Sequence, residues 1–166
     1  MSDQLLQMSI SDSASLDRFL SQAPGVTREE LIRFMTGATQ YLEGETQERT
    51  PRGAHGALAK SIFSRVQATE MTVLGTVGSP LDYAEAVELG SRPHWAPIQP
   101  LQEWARLKLG LPASEADDAA RRIQLAIAHR GTLGVGMFHQ AAAAGRSTLE
   151  HQLGATVRRI GDRLRG

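Results

Sequence analysis

Six apolar side chains, Leu31, Phe34, Met35, Ala38, Tyr41 and Leu42, recur at steps of one, three and four along one stretch of the chain. That rhythm fits one face of an α-helix and no strand. Pro51 follows, and a proline there biases Thr50 out of the helical region, so the spacing predicts an amphipathic helix over Thr27–Arg49. Thr27 stands three residues before Glu30, a capping-box spacing that places the start of the helix. Such a helix has to bury its stripe against something, and the rest of the chain must supply the partner.

Two alternating runs are the first candidates. Ile62, Ser64 and Val66 alternate with Phe63, Arg65 and Gln67, and Met71, Val73, Gly75 and Val77 alternate with Thr72, Leu74 and Thr76. Both read as strands, with Ala68-Thr69-Glu70 as the turn of an antiparallel hairpin. Two strands alone are marginal in water, so the hairpin must pack on the long helix or be extended by further strands. Short helices are predicted over Asp82–Leu89, closed by Gly90, and around Leu101, Trp104, Ala105 and Lys108, ended by Gly110 and Pro112. Pro93–Pro100 reads as extended loop. Ser114, with Asp117 three on, caps a helix whose inner stripe is Ala116, Ala119, Ala120, Ile123, Ala126 and Ile127. Gly131, Gly134 and Gly136 suggest a flexible turn. Ser147 with Glu150 caps the last helix, carried by Leu149, Leu153, Val157, Ile160 and Leu164, and Gly154 and Gly161 beside that stripe imply a close backbone neighbour. The whole reads as α+β: an N-terminal helix and a C-terminal helix on a small antiparallel sheet, with a helical insert at about 100–130. Residues 1–26 form an arm with a short helix over Ser15–Gln22, and 27–166 a single domain.

Composition narrows the function classes. The 166 residues include no cysteine, which removes disulfides, thiolate metal sites and a Cys nucleophile. No apolar run approaches the roughly 20 residues that span a bilayer, and the N-terminus lacks a signal layout, so no membrane role is expected and the chain belongs in a cytoplasm or something assembled there. Zero net charge hides a division. Residues 1–120 carry 10 basic against 16 acidic side chains, a net of −6, and residues 121–166 carry 8 against 2, a net of +6. Either the basic end, with Arg158, Arg159, Arg163 and Arg165, meets a polyanion such as DNA, or it faces acidic surface within the chain or on a neighbouring copy. The absence of aromatics between the arginines favours the second.

The sequence carries little that supports catalysis. The five histidines (55, 94, 129, 139, 151) form no HExxH pair and no i, i+4 pair. No Gly-x-Ser-x-Gly elbow is present. Gly131-Thr-Leu-Gly-Val-Gly136 follows a helix and lacks the Gly-Lys-Ser/Thr ending of a phosphate loop. Glu85 and Glu88, about one turn apart, suit a solvated helix face. No catalytic residue, metal or cofactor is therefore assigned. Two clusters of glycine, proline and aromatic positions stand out instead. One holds Thr50, Pro51, Gly53, Gly56, Leu58, Ser61 and Ile62; the other holds Tyr83, Ala84, Val87, Glu88, Gly90, Arg92 and Pro93. Turn chemistry alone accounts for both.

A long helix ending in Thr50-Pro51, a Gly-containing loop, a Leu58…Ser61-Ile62 strand entry, a hairpin, then Tyr83-Ala84…Val87-Glu88-x-Gly90-x-Arg92-Pro93 resembles the neck or tail-completion proteins of long-tailed and Mu-like bacteriophages, also called tail-component or minor capsid proteins. The resemblance runs from Leu31 to Leu164 and includes Arg130-Gly-Thr followed by Met137-Phe138. Gly53-Ala-His-Gly56 departs from the family's Val-Asp-Thr-Gly turn, Leu101–Ala128 is an insert, and Gly136 stands where relatives have proline.

The resemblance implies a virion structural protein and not an enzyme. It implies a homo-oligomeric ring, typically of six copies, between head-closure or adaptor proteins and the tail terminator or tail tube, with viral DNA passing through the channel. Assembly would take place in the host cytoplasm. A tail terminator or head-closure ring, or a DNA-binding protein using the basic C-terminal helix, are the other readings.

Overall fold

The computed structural model describes residues 24–70 and 72–165, which fall into two compact units. Unit 1 takes in 24–48, 62–79 and 138–165; unit 2 takes in 49–61 and 80–137. The class is α+β, 67% helical with a small antiparallel sheet. The expected helix over Ser15–Gln22 lies outside the described residues.

Unit 1 is built on helix α1, Pro24–Arg49. Leu31, Phe34, Met35, Ala38 and Leu42 are buried along one face, as the periodicity predicts. Its start differs from the capping-box expectation. The helix begins three residues earlier, at a proline whose fixed φ suits the first helical position. Thr27 and Glu30 therefore sit inside it, and the Thr27 hydroxyl is buried without a hydrogen-bond partner. Two other buried threonines are satisfied locally: Thr39 donates to Met35 O at 2.9 Å and Thr46 to Leu42 O at 2.7 Å.

Strands β1, Phe63–Ala68, and β2, Val73–Gly78, pair antiparallel from Phe63↔Gly78 to Ala68↔Val73. The turn takes one residue more than expected and closes through Thr69 N–H to Thr72 O at 2.8 Å. Val66, Val73 and Val77 pack on the α1 stripe, so the helix is the hairpin's partner. Gly75 is where they approach most closely: a Cβ there would stand 2.5 Å from Thr39 Cγ2 and 2.7 Å from Met35 Cε. The helix also grips the hairpin by side chains. Arg28 Nε donates to Thr69 O at 3.1 Å, Ser64 Oγ donates to Glu43 Oε2 at 2.6 Å, and Gln47 Nε2 donates to Ile62 O at 3.3 Å.

The rest of unit 1 comes from helix α6, Met137–Arg165, all but its first residue in this unit. It runs unbroken through Ser147, so the second capping box is also interior. The alanine run Ala141–Ala144 and the absence of proline let one helix continue where a start was expected. Leu149 joins the core with Phe34, Met35, Ala38 and Leu42, and Ile160 is buried. The close neighbour expected at Gly154 is not there, only Arg158 Nη1 at 3.7 Å; the tight approach is at Gly145, whose Cβ would stand 2.9 Å from Tyr41 Cε1 and 3.1 Å from Leu42 Cδ2.

Unit 2 holds the remaining elements: α2, Ala57–Ser61; α3, Ala84–Leu89; β3, Gly90–Ser91; α4, Ile98–Leu109; α5, Ala113–Arg130; and β4, Thr132–Leu133. The Leu58…Ser61 stretch, expected as strand entry, is the one-turn helix α2, opened by Lys60 N–H to Gly56 O at 3.1 Å. Helix α4 begins inside the predicted loop and stops on Gly110 in the left-handed region. Helix α5 starts directly after Pro112, so Ser114 lies within it and caps nothing. Helices α4 and α5 pack together through Ala105, Ala116 and Ala120, each 0% exposed, which lets the two backbones come close. Arg106 Nη2 lies 3.7 Å from Asp117 Oδ1, and Gln124 Nε2 donates to Ala96 O at 2.7 Å.

Candidate functional site

The two sequence clusters meet in unit 2. Pro51, Gly53, Ala54, His55, Gly56, Ala57 and Leu58 form one wall of a groove of about 280 Å³, and Tyr83 and Val87 form the other. Each wall has a local cause. Gly53 N–H bonds back to Pro51 O at 3.2 Å, making a tight turn, and Gly56 at φ +64° lets the chain enter α2. Thr50, buried just before, donates to Met137 Sδ at 3.2 Å, and Ser61 Oγ donates to Leu58 O at 2.7 Å. On the second wall Tyr83 precedes α3 with its ring half exposed at the rim, while Ala84 is buried beneath. His55 Nε2 and Glu103 Oε1 stand 2.9 Å apart, linking the first wall to α4 on the solvent side.

Ile62 is not part of this groove; it belongs to unit 1 and is buried there. Glu88, Gly90, Arg92 and Pro93 lead to a second feature, a two-residue ribbon in which Gly90 pairs with Leu133 and Ser91 with Thr132. Val135 N–H donates to Val87 O at 2.8 Å and Gly136 N–H to Glu88 O at 3.0 Å, extending the seam along α3. Two of the three glycines read as a flexible turn, Gly131 and Gly134, are close-contact positions instead, as is Gly90. A Cβ on Gly90 would strike Thr132 O and stand 2.7 Å from Gly134 N; one on Gly131 would strike Ser91 O; one on Gly134 would strike Glu88 O. Only glycine allows these backbones to touch.

On and beside the ribbon stand large exposed apolar side chains: Leu133 in β4 is 95% exposed, Leu89 at the end of α3 71% and Trp95 after β3 69%. Sequence reasoning passed over all three. Leu89 ends a short helix with no apolar stripe assigned to it, Leu133 sits between glycines, and Trp95 falls in a stretch read as extended loop.

One contact here bears on chemistry. Ser91 Oγ lies 3.4 Å from His94 Nδ1, which also faces Arg92 O at 2.9 Å. A ring nitrogen against a carbonyl carries the proton and donates, so Nδ1 is no base for the serine. Among the described residues no group of three or more His, Asp or Glu side chains gathers as metal ligands, and no helix is long and apolar enough to cross a membrane.

The basic C-terminal residues divide. Arg159 Nε donates to Glu30 Oε2 at 3.3 Å and Arg163 Nη1 to Glu30 Oε1 at 3.0 Å, with Arg33 Nη1 on the same oxygen at 3.0 Å. Glu30 is only 2% exposed. Burial by itself would raise its pKa, but the hydrogen bonds from Arg159 and Arg163 and the charges of Arg33 and Arg159 outweigh that, holding the carboxyl below its ordinary value. Arg158 is exposed.

No curated protein and no solved structure matches the chain. A family model does, over residues 14–90, described as HK97-gp10-like: "Bacteriophage HK97-gp10, putative tail-component". The match takes in α1, the hairpin and both walls of the groove, and stops at Gly90, short of Arg92, Pro93 and the Arg130–Phe138 segment. The resemblance read from the residues is thus borne out over this stretch: residues 14–90 are similar to a bacteriophage tail-component family, which is consistent with a neck or tail-completion protein.

Proposed function

We propose that this chain is a neck or tail-completion protein whose copies form a ring joining the head-closure proteins to the tail terminator or tail tube, with DNA passing through the channel. The observation that carries this is the match to a tail-component family over the stretch that folds into both groove walls. What the two clusters build is a shaped apolar surface beside a solvent-facing ribbon, the kind of relief that recognises protein. In this reading β1 and β2 face the channel, α1 and α6 form the outer layer, and Tyr83–Pro93 contacts the next subunit or ring. Six copies are the expected number.

The DNA-binding alternative loses two of its arginines to Glu30, which leaves few cations on the last helix for phosphates. Tight, steeply salt-dependent DNA binding by the purified chain would revive it. The assembly reading is tested by complementing a phage that lacks the gene with Arg92→Glu and with Glu88→Arg. Folded chains that leave heads and tails unjoined are expected. Normal yields of joined particles from both variants, or mature particles devoid of the chain, would overturn it.

A further inference from the structure

The ribbon and the groove of unit 2 look unlike each other, and each lacks what the other has. Leu133 and Leu89 project into solvent from a support in which backbone lies directly against backbone at Gly90, Gly131 and Gly134. A rigidly presented side chain loses little further freedom on docking. The groove, a few residues away along α3, is lined by Pro51, Leu58, Tyr83 and Val87 and has room for about 280 Å³. An apolar cavity of roughly 150 Å³ accommodates a benzene-sized molecule, so this one has space for about two leucine side chains. Leu133, 95% exposed, does not fill the groove of its own chain.

Charge points to the same pairing. Arg92 and Arg130 flank the ribbon in sequence and are exposed, with the half-buried Glu88 the one acid beside them. Asp82 and Glu85 bracket Tyr83 at the groove and are exposed, Glu103 stands at the rim against His55, and Arg52 and Lys60 are exposed on the first wall. The ribbon end is thus net basic, while around the groove three acids stand against two cations.

We infer that the β3–β4 ribbon of one copy, led by Leu133 and Leu89, seats in the Pro51–Leu58/Tyr83–Val87 groove of a second copy of this chain. This rests on the reading above that copies assemble. Because the two patches differ, the contact is heterologous: it propagates from copy to copy and either closes into a ring or continues. Arg92 and Arg130 then approach Asp82 and Glu85 of the neighbour and set its orientation, a role charge serves better than it supplies affinity.

The chain has no cysteine, so engineered thiols report without background. Ala54→Cys places one in the groove and Leu133→Cys one on the ribbon. Mild oxidation of a mixture of the two single variants, as concentrated protein and in assembled particles, should give a covalent mixed dimer, and neither variant alone should give one. The double variant should give a ladder of higher oligomers. Leu133→Ser, at a fully exposed position that leaves the fold intact, should weaken self-association at least tenfold, the loss of one buried leucine. Arg92→Glu should weaken it too, with Glu85→Arg restoring it in part. Absence of the mixed dimer in both settings, or Leu133→Ser associating like the parent chain, would overturn the inference while leaving the tail-component reading in place. A double variant that stops at dimers would keep the seat and remove the ring.

Discussion

Replacing Gly131 and Gly110 by alanine separates two costs that glycine ordinarily combines. Both residues have positive φ, 69° at Gly131 and 65° at Gly110. Gly110 ends α4 at ψ 24° with nothing within 4 Å of a Cβ. Gly110→Ala then costs only the left-handed backbone, about 1 kcal/mol. Gly131 has ψ −157°, a region open essentially to glycine alone, which costs about 1–3 kcal/mol. Its new Cβ would also meet Ser91 O, with Arg92 C at 2.9 Å and Ser91 C at 3.0 Å, all main-chain atoms that no rotamer change can move. Relief requires the ribbon to part, breaking the contacts from Ser91 N to Thr132 Oγ1 at 3.1 Å and between Ser91 Oγ and Thr132 Oγ1 at 2.9 Å. At about 1 kcal/mol for each bond, Gly131→Ala should cost about 3–5 kcal/mol in all. Urea unfolding followed by far-ultraviolet circular dichroism, with linear extrapolation, measures both variants on one scale. Equal losses at the two sites, within about 1 kcal/mol, would mean that the close approach does not hold the ribbon and that its rigidity has another source.

The Glu30 cluster makes stability depend on pH with a definite sign. Its carboxyl sits below the ordinary value of 4.5 in the folded chain, so folding is favoured fully above that value and the gain is lost as pH falls from it through the folded pKa. Glu30→Gln should flatten that part of the acid limb in denaturation curves taken across pH 3–6, roughly the window where a carboxylate titrates; an unchanged limb would show that other carboxylates govern it. In unit 2, Ala120→Leu should overpack the α4–α5 contact and destabilise by about 1–3 kcal/mol, readable as a lowered urea midpoint, whereas the same change at the exposed Ala113 should be near neutral.

Much of unit 1 was legible because its signals are periodic. The α1 stripe and the alternation of β1 and β2 are each long enough to fix which face is inward, and all three elements lie close to where the pattern places them. Helix starts were not legible. Thr27 with Glu30 and Ser147 with Glu150 have the spacing of a capping box, but a residue and its i+3 neighbour also share a face inside a helix. Glu30 turned out to serve arginines 129 and 133 positions away, which no local rule can anticipate. At two residues, β3 and β4 are shorter than one period, and α2 at five residues offers no stripe. For the groove, the clusters themselves were visible as turn chemistry, but their meeting depends on tertiary placement. The solvent-facing leucines stayed hidden because leucine is a residue type usually found buried, so its identity points away from exposure.

The order in which the chain delivers unit 1 has a consequence for synthesis. Its first layer arrives with α1, its second with the hairpin, and its last only from Phe138 of a 166-residue chain. Leu149, the α6 member of the core, meets Phe34 and Leu42 across more than a hundred intervening positions. A nascent chain therefore emerges with a helix face and a sheet face awaiting their cover, and closure comes late and through distant contacts, which slows folding. Any truncated product ending before that final helix would lack Leu149 and leave its side of the Phe34–Leu42 core uncovered.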